Sequence, residues 1–95
     1  MTRHKRLICW SEKAWSDYLY WQEHDKKILG RINKLITEGL RDPFSGTGKP
    51  EPLRGNWQGY WSRRITDEHR QIYKATDKQS NKIATIAKSI TLDTR

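Results

Sequence analysis

The sequence predicts an α+β domain in which a helical hairpin packs on one face of a small, mainly antiparallel twisted sheet. Three observations support this prediction: a short β-type run near the start, two segments with apolar residues at helical spacing, and three further β-type runs. The order β-α-α-β-β-β leaves the helical pair to cover one sheet face. At 95 residues we expect a single domain spanning residues 1–95.

The first half of the chain is predicted to form one strand and two helices. Residues 6–10 make a β-type run, and Ser11 can cap a first helix that ends near His24. Asp25 is the second N-cap candidate, and Gly39 offers a left-handed C-terminal cap. The apolar stripes behind these predictions are Ala14, Trp15, Tyr18 and Leu19 in the first helix, and Ile28, Ile32, Leu35 and Ile36 in the second.

Residues 41–59 are predicted to form a loop without regular structure. The segment contains all three Pro and most of the Gly, with Phe44 and Leu53 among its few apolar residues. A long loop in a compact domain is more often functional than idle. We therefore expect functional residues in this loop.

Three β-type runs, at residues 60–65, 70–75 and roughly 82–90, are predicted to form an antiparallel meander. Residues 66–69 and 77–80 supply the two hairpin turns.

Alternation of side chains assigns faces within this meander. Trp61, Arg63 and Ile65 form the better core face of its first strand, whereas alternation in the second strand leaves two assignments open. If Arg64 and Arg70 both point away from the helices, their opposed guanidiniums would form a phosphate site.

The positive charge is concentrated in the second half of the chain. The formal net charge is +8; residues 11–40 balance five bases with five acids, whereas residues 41–95 hold eleven bases against six acids, which gives +5. Bases interleaved with aromatic residues suit a phosphate backbone and unstacked bases. A small protein can also be basic by chance, so charge alone leaves nucleic-acid binding open.

The composition argues against several other classes of protein. Cys9 is the single cysteine and no Cys/His cluster has metal-ligand spacing, so neither a disulfide scaffold nor a zinc module is expected. The apolar run 7–10 is too short for a signal peptide or a membrane span. We therefore expect a cytoplasmic protein with no cofactor and no membrane partner.

Seven short runs of sequence together resemble one known family. The runs are 10–12 (Trp-Ser-Glu), 18–22 (Tyr-Leu-Tyr-Trp-Gln), 25–27 (Asp-Lys-Lys), 42–44 (Asp-Pro-Phe), 46–53 (Gly-Thr-Gly-Lys-Pro-Glu-Pro-Leu), 61–65 (Trp-Ser-Arg-Arg-Ile) and 68–70 (Glu-His-Arg). In order and spacing they closely resemble the YoeB (Txe) toxins of the RelE superfamily, over about residues 6–77.

This resemblance implies a RelE-like fold and a toxin of a bacterial type II toxin–antitoxin system. Such a toxin is a ribosome-dependent mRNA endoribonuclease, or mRNA interferase, which inhibits translation by cleaving A-site mRNA on the 70S ribosome without a metal ion. The implied partners are a YefM-like antitoxin, which holds the toxin inactive, and a second copy of the chain in a homodimer.

The resemblance also implies roles for particular residues. In these toxins a base takes the proton of a 2′-hydroxyl that attacks the adjacent phosphate, cations stabilise the phosphorane, and an acid protonates the departing 5′-oxygen. The implied base is Glu51, and the implied transition-state arginine is Arg70 with Arg64 in support. The further nucleic-acid contacts predicted are Lys49, Arg54, Arg63, Trp61 and Lys88.

Each of these residues also has an ordinary interpretation. Pro50 and Pro52 fix the backbone φ on either side of Glu51, which makes it a stiffly held carboxylate, but a solvated loop Glu would look the same. Arginines in strands usually form cross-strand ion pairs, and Glu68 is a candidate partner for Arg70.

The end of the sequence departs from the family. The family's last strand ends in an Arg followed by a His-Tyr pair that supplies the acid and stacks on the base, but no His or Tyr follows Tyr73 here. Lys88 stands near the usual Arg, Ser89 and Ile90 cannot donate a proton at neutral pH, and His69 should point to the wrong sheet face. We therefore expect residues 78–95 to diverge from the family, and cleavage to be weak.

Two functions remain open on the sequence. The first is an mRNA interferase, active or attenuated. The alternative is a catalytically poor toxin homologue that binds an antitoxin and serves in autoregulation of its operon. A generic DNA-binding module fits less well, because the helical half is neutral and carries no helix-turn-helix or zinc signature.

Overall fold

The structure is a computed structural model that describes residues 6–76 and 80–88. Residues 87 and 88 are described by their backbone alone. Two helices pack on a five-stranded sheet, which confirms the α+β prediction. The elements are β1 (Leu7–Trp10), α1 (Glu12–His24), α2 (Lys26–Arg41), β2 (Glu51–Pro52), a 3-10 helix (Gly55–Trp57), β3 (Trp61–Arg64), β4 (His69–Ala75) and β5 (Ser80–Lys88).

The sheet is mixed, with the strand order β1-β5-β4-β3-β2. β1 runs parallel to β5, and the other neighbouring pairs are antiparallel, so the predicted meander β3-β4-β5 is confirmed. The first hairpin turn is the predicted one, since Ile65 N–H donates to the carbonyl of His69 at 2.9 Å. Residues 77–79 of the second turn lie outside the described residues.

Both helices begin at the predicted caps. The Ser11 hydroxyl accepts a hydrogen bond from Ala14 N–H at 3.0 Å. The Asp25 carboxylate accepts from Lys27 and Ile28 N–H, each at 3.1 Å. Each cap satisfies backbone donors that the first turn of a helix leaves free, and Asp25 also ends α1, since its own N–H donates to the Trp21 carbonyl.

The prediction that Gly39 ends the second helix is wrong. α2 continues to Arg41, and Asp42 N–H closes the last turn. The Gly39 carbonyl accepts a hydrogen bond from the Asn81 side chain at 2.8 Å, and a Cβ on this glycine would lie 3.4 Å from the same amide nitrogen. Glycine here permits the close approach of α2 to β5.

The core lies between the helices and the sheet. The predicted stripe of α2 faces it, but in α1 only Ala14 is buried, while Trp15 and Leu19 remain exposed. Trp15 instead stacks on Tyr18 at the surface, with 5.9 Å between ring centroids. The buried apolar cluster comprises Ala14, Ile32, Leu35, Ile36, Ile65, Tyr73, Ile83 and Ile86.

The segment 42–60 contains more regular structure than predicted. β2 pairs with β3, placing Glu51 opposite Ser62, and the Leu53 N–H donates to the Tyr60 carbonyl at 2.9 Å. Proline is compatible with such an edge strand, because one side of the strand has no ladder partner. The sheet thereby gains a short edge strand that carries Glu51.

The structure settles which faces the strands present. Ile65 is buried and Trp61 is partly buried against the core, as predicted. Arg64 pairs in register with Arg70, so the two share the other face. β4 is buried on both faces at Gln71, Ile72 and Tyr73, which explains why alternation in its sequence was ambiguous. Within residues 6–76 and 80–88, neither helix is long and apolar enough to cross a membrane.

Candidate active site

Glu51 and Arg70, nineteen positions apart in the chain, meet on the exposed sheet face. Arg70 Nη1 lies 3.3 Å from Glu51 Oε2, and the same nitrogen donates to the Ser62 hydroxyl at 3.0 Å. The Glu51 side chain is 56% exposed and that of Arg70 22%. The guanidinium is therefore braced by buried Ser62, while the carboxylate keeps oxygen surface open to a substrate.

The ion pair differs from the one anticipated on the sequence. The candidate partner of Arg70 was Glu68, but Glu68 is exposed in the β3–β4 turn, and among the described residues Arg70 pairs with Glu51. The pairing follows from register, since Glu51 stands opposite Ser62 and Ser62 adjoins Arg70 across β3 and β4. An exposed ion pair of this kind adds little to the stability of the fold, so its position is more consistent with a functional site than with a stabilising role.

Arg64 supplies a second cation beside Arg70. It stands directly opposite Arg70 on β3 and is exposed, as the outward-facing prediction requires. Its backbone is held on both sides: Arg64 N–H donates to the Gly48 carbonyl at 2.7 Å, and Arg31 Nη2 donates to the Arg64 carbonyl at 3.1 Å. Two guanidiniums on rigid strands can stabilise the charge of a phosphorane.

Glu51 lines an open cavity of about 650 Å³. Arg54 lines it together with Gln58, and Lys49 is exposed two positions before Glu51 at a φ of 49°. Arg54 thus lines the same cavity as the predicted base, and Lys49 lies on the segment that leads to it. Both remain predicted phosphate contacts.

The prediction that Arg63 contacts phosphate is wrong. Arg63 is fully buried, and its guanidinium donates to the carbonyls of Asp42, Ser45 and Thr47 at 2.8–2.9 Å. Its Nε donates to the Tyr73 hydroxyl at 3.3 Å. Alternation along β3 had already assigned Arg63 to the core face, and that signal should have excluded it from the substrate surface.

Two carboxylates form hydrogen bonds with the loop of residues 42–48, whose carbonyls accept from Arg63. Hydrogen bonds from the Thr47 N–H and hydroxyl lower the pKa of Glu38. Hydrogen bonds from the Ser45 hydroxyl and the Phe44 N–H lower the pKa of Asp42. Both side chains are therefore ionised at neutral pH, and they fasten the loop from the helix side.

Tyr73 completes this arrangement from the core. Burial raises the pKa of its hydroxyl, outweighing the opposing effect of Arg63, so the group stays protonated at neutral pH. The protonated hydroxyl donates to the Pro43 carbonyl. This tyrosine is the last in the chain and was not assigned to the site on the sequence, because its partners lie on a remote loop.

Other predicted site residues lie away from the ion pair or outside the described region. Trp61 packs on Phe44, with 4.8 Å between ring centroids, on the face of β3 opposite to Arg64. The Lys88 backbone pairs with His69 at the end of β5, and residues 89–95 lie outside the described residues. His69 contacts Trp21, at 5.0 Å between ring centroids, which confirms that it points towards the helices.

In the described part of the chain, no three His, Cys, Asp or Glu side chains cluster as metal ligands do.

Sequence comparison places this chain within a family. The family of "YoeB-like toxin of bacterial type II toxin-antitoxin system" matches residues 10–88, which include the ion pair and Arg64. The chain belongs to this family of YoeB-like toxins. Toxin YoeB of Escherichia coli (strain K12) is 60% identical over 70 residues, which cover 74% of this chain and 83% of that toxin.

Solved YoeB structures share the fold. A YoeB dimer from Staphylococcus aureus is 42% identical, covers 86% of this YoeB-like toxin and 94% of its own chain, and superposes with a TM-score of 0.79. A heterotetrameric YoeB-YefM toxin-antitoxin complex from Staphylococcus aureus is 44% identical, with 86% and 95% covered and a TM-score of 0.79. The predicted RelE-like architecture of this YoeB-like toxin is thereby confirmed.

Proposed function

We propose that this YoeB-like toxin is a ribosome-dependent, metal-independent mRNA endoribonuclease that inhibits translation. The observation that supports this proposal most strongly is the exposed Glu51 carboxylate at 3.3 Å from Arg70, with Arg64 opposite Arg70 on the next strand. A base and two cations on one rigid face would supply two of the three functions that this cleavage uses, proton removal and charge stabilisation.

The proposed reaction uses each of these groups in one displacement. Glu51 takes the proton of a ribose 2′-hydroxyl, whose oxygen then bonds to the adjacent phosphorus. Arg70 and Arg64 stabilise the added negative charge of the phosphorane. The bond from phosphorus to the 5′-oxygen breaks, the leaving oxygen takes a proton from an acid, and a 2′,3′-cyclic phosphate and a 5′-hydroxyl remain.

The proposed substrate is supported by the positive charge of this chain, and the proposed partners are supported by its relatives. The +5 balance of residues 41–95, including Lys49, Arg54 and Lys88, supports binding of A-site mRNA on the 70S ribosome. The YoeB-YefM complex supports a YefM-like antitoxin as partner, and the YoeB dimer supports a homodimer. We place all of these interactions in the cytoplasm.

A second candidate function is supported by the end of the sequence. Residues 74–95 contain no His and no Tyr, so the acid of the proposed reaction is not identified in this chain. A toxin homologue with weak cleavage could still bind its antitoxin and serve in autoregulation of its operon. The two functions differ in one measurable respect, which is whether expression cleaves mRNA.

Inducible expression in a bacterium tests the proposal directly. We expect the parent chain to slow growth and to create new mRNA 5′ ends within translated codons. Glu51→Ala should remove both effects, because the base is lost, whereas Glu68→Ala, a control at an exposed turn carboxylate, should retain them. Growth curves and 5′-end mapping are the measurements. Equal cleavage by parent and Glu51→Ala would refute the assignment of Glu51, and no cleavage by any variant would favour the binding function.

Antitoxin binding provides a second prediction. An acidic segment of a flexible antitoxin that covers Arg64 and Arg70 would neutralise this face and block substrate. Arg64→Glu should therefore weaken the complex with the antitoxin of the same operon by about tenfold or more, the scale for a lost interfacial charge pair. Lys26→Glu, at an exposed position on α2, is the matched control. Calorimetric affinities that are unchanged by Arg64→Glu would place the antitoxin elsewhere.

A further inference from the structure

Arg63 is a buried cation that the proposed reaction does not use. Its side chain is fully buried, and within residues 6–76 and 80–88 no carboxylate forms an ion pair with it. Its charge is met by three backbone carbonyls and the Tyr73 hydroxyl. The ionised Glu38 and Asp42 carboxylates attract the guanidinium electrostatically, but neither forms an ion pair with it. An apolar side chain could fill such a space, so this arrangement calls for an explanation beyond packing.

The three carbonyls belong to one loop, which wraps around the guanidinium. They are those of Asp42, Ser45 and Thr47, and the Tyr73 hydroxyl donates to the intervening Pro43 carbonyl. A guanidinium has five donors in a fixed plane and can hold several carbonyls at set positions. Segment 42–48 is therefore held in one conformation from the core outwards.

The same loop packs tightly where it leaves Arg63. Gly48 has a φ of 89°, and a Cβ on it would lie 3.1 Å from Arg63 Cβ and 3.0 Å from a Leu35 methyl carbon. Its carbonyl accepts from Arg64 N–H at 2.7 Å. The chain thus passes in contact with the Arg63 side chain and is pinned to the strand that carries the second cation.

Only Lys49 and Pro50 separate this pinned glycine from Glu51. Proline has a fixed φ, and Lys49 adopts a φ of 49°, so little freedom remains between the loop and the carboxylate. A shift of segment 42–48 would move Glu51 relative to Arg70, which stands on a different strand. The position of the base therefore depends on what holds the loop.

We propose that Arg63, assisted by Tyr73, is a positioning residue that sets the Glu51 carboxylate against Arg70. This inference rests on the proposed function, because it concerns the base of that reaction. Arg63 acts through the backbone of segment 42–51 and does not itself touch substrate. Its burial separates this role from those of Arg64 and Arg70, which face the substrate side.

Arg63→Met, Arg63→Lys and the control Arg6→Met test the proposal. Arg6 is matched in kind, since its guanidinium also donates to backbone carbonyls, those of Thr76 and Ser80, but at the other edge of the sheet. Arg63→Met should lower kcat for ribosome-dependent cleavage by about 10²-fold, the cost of a misplaced catalytic group, with KM nearly unchanged. Arg63→Lys should recover part of kcat, and Arg6→Met should leave both constants as in the parent.

Amide hydrogen exchange supplies a readout that does not depend on activity. Arg63→Met should speed exchange at the Thr47, Leu53 and Arg64 amides, which are bonded in the parent, whereas Arg6→Met should not. If Arg63→Met proves unfolded, Tyr73→Phe, which removes one hydroxyl, should produce the same changes to a smaller degree. Parental kcat or parental exchange in the folded Arg63 or Tyr73 variant overturns the proposal. If no variant cleaves mRNA, the proposed function fails, and exchange at Leu53 still decides whether Arg63 holds the Glu51 strand.

Discussion

Ser89→His combined with Ile90→Tyr is expected to raise ribosome-dependent mRNA cleavage by about 10²-fold or more, the usual contribution of a positioned general acid. The reason is that the chain has a carboxylate, the proposed base, and two guanidiniums on one face, whereas no imidazole or phenol follows Tyr73 in the sequence. A histidine can protonate the departing 5′-oxygen near neutral pH, and a tyrosine ring can stack on a base. Single-turnover cleavage of mRNA on purified ribosomes is the measurement.

Two controls separate acid catalysis from a general effect of the new side chains. Ser89→Ala with Ile90→Phe adds an aromatic ring without a proton donor and should leave the rate near that of the parent. Glu51→Gln in the His-Tyr variant should abolish the gain, because the acid and the base act in the same displacement. A parent that already cleaves as fast as the His-Tyr variant would show that another group is the acid, and Lys88→Ala would then be the variant to examine.

Arg70→Gln in the same His-Tyr variant is expected to lower kcat by about 10²–10³-fold, the scale for losing one preorganised group that stabilises an oxyanion. Arg70 contacts both Glu51 and Ser62, so glutamine would remove the proposed phosphate cation and also release the proposed base. Arg70→Lys keeps the charge but lacks the guanidinium fork, and should give an intermediate rate. The measurement is the steady-state kcat for mRNA cleavage at saturating ribosomes.

The matched control for Arg70→Gln is Lys82→Gln. Lys82 is an exposed cation on β5 whose strand partners are Cys9 and Lys74, away from the ion pair. Lys82→Gln removes the same charge as Arg70→Gln and should leave kcat at its parental value, although binding to ribosomes should weaken slightly at low salt. Equal losses in both variants would mean that net charge, and not the position of Arg70, limits the reaction.

Arg63 illustrates where sequence reasoning reached its limit. Alternation along β3 placed this residue with Trp61 and Ile65 on the core face, and the structure confirms that placement. Its assignment as a phosphate contact came from the family resemblance, and it is wrong. The carbonyls that satisfy it lie 16 to 21 positions earlier in the chain, in a loop whose path no local pattern predicts.

The sequence by itself determined the local elements: the caps at Ser11 and Asp25, the apolar stripe of α2 and the β3-β4-β5 meander. These depend on interactions within a few residues or on the regular period of helices and strands. Only the tertiary structure decided that α2 passes Gly39, that a two-residue strand carries Glu51, and that this carboxylate meets Arg70. These features depend on register and on close packing between segments remote in the chain, which the composition of either segment alone does not specify.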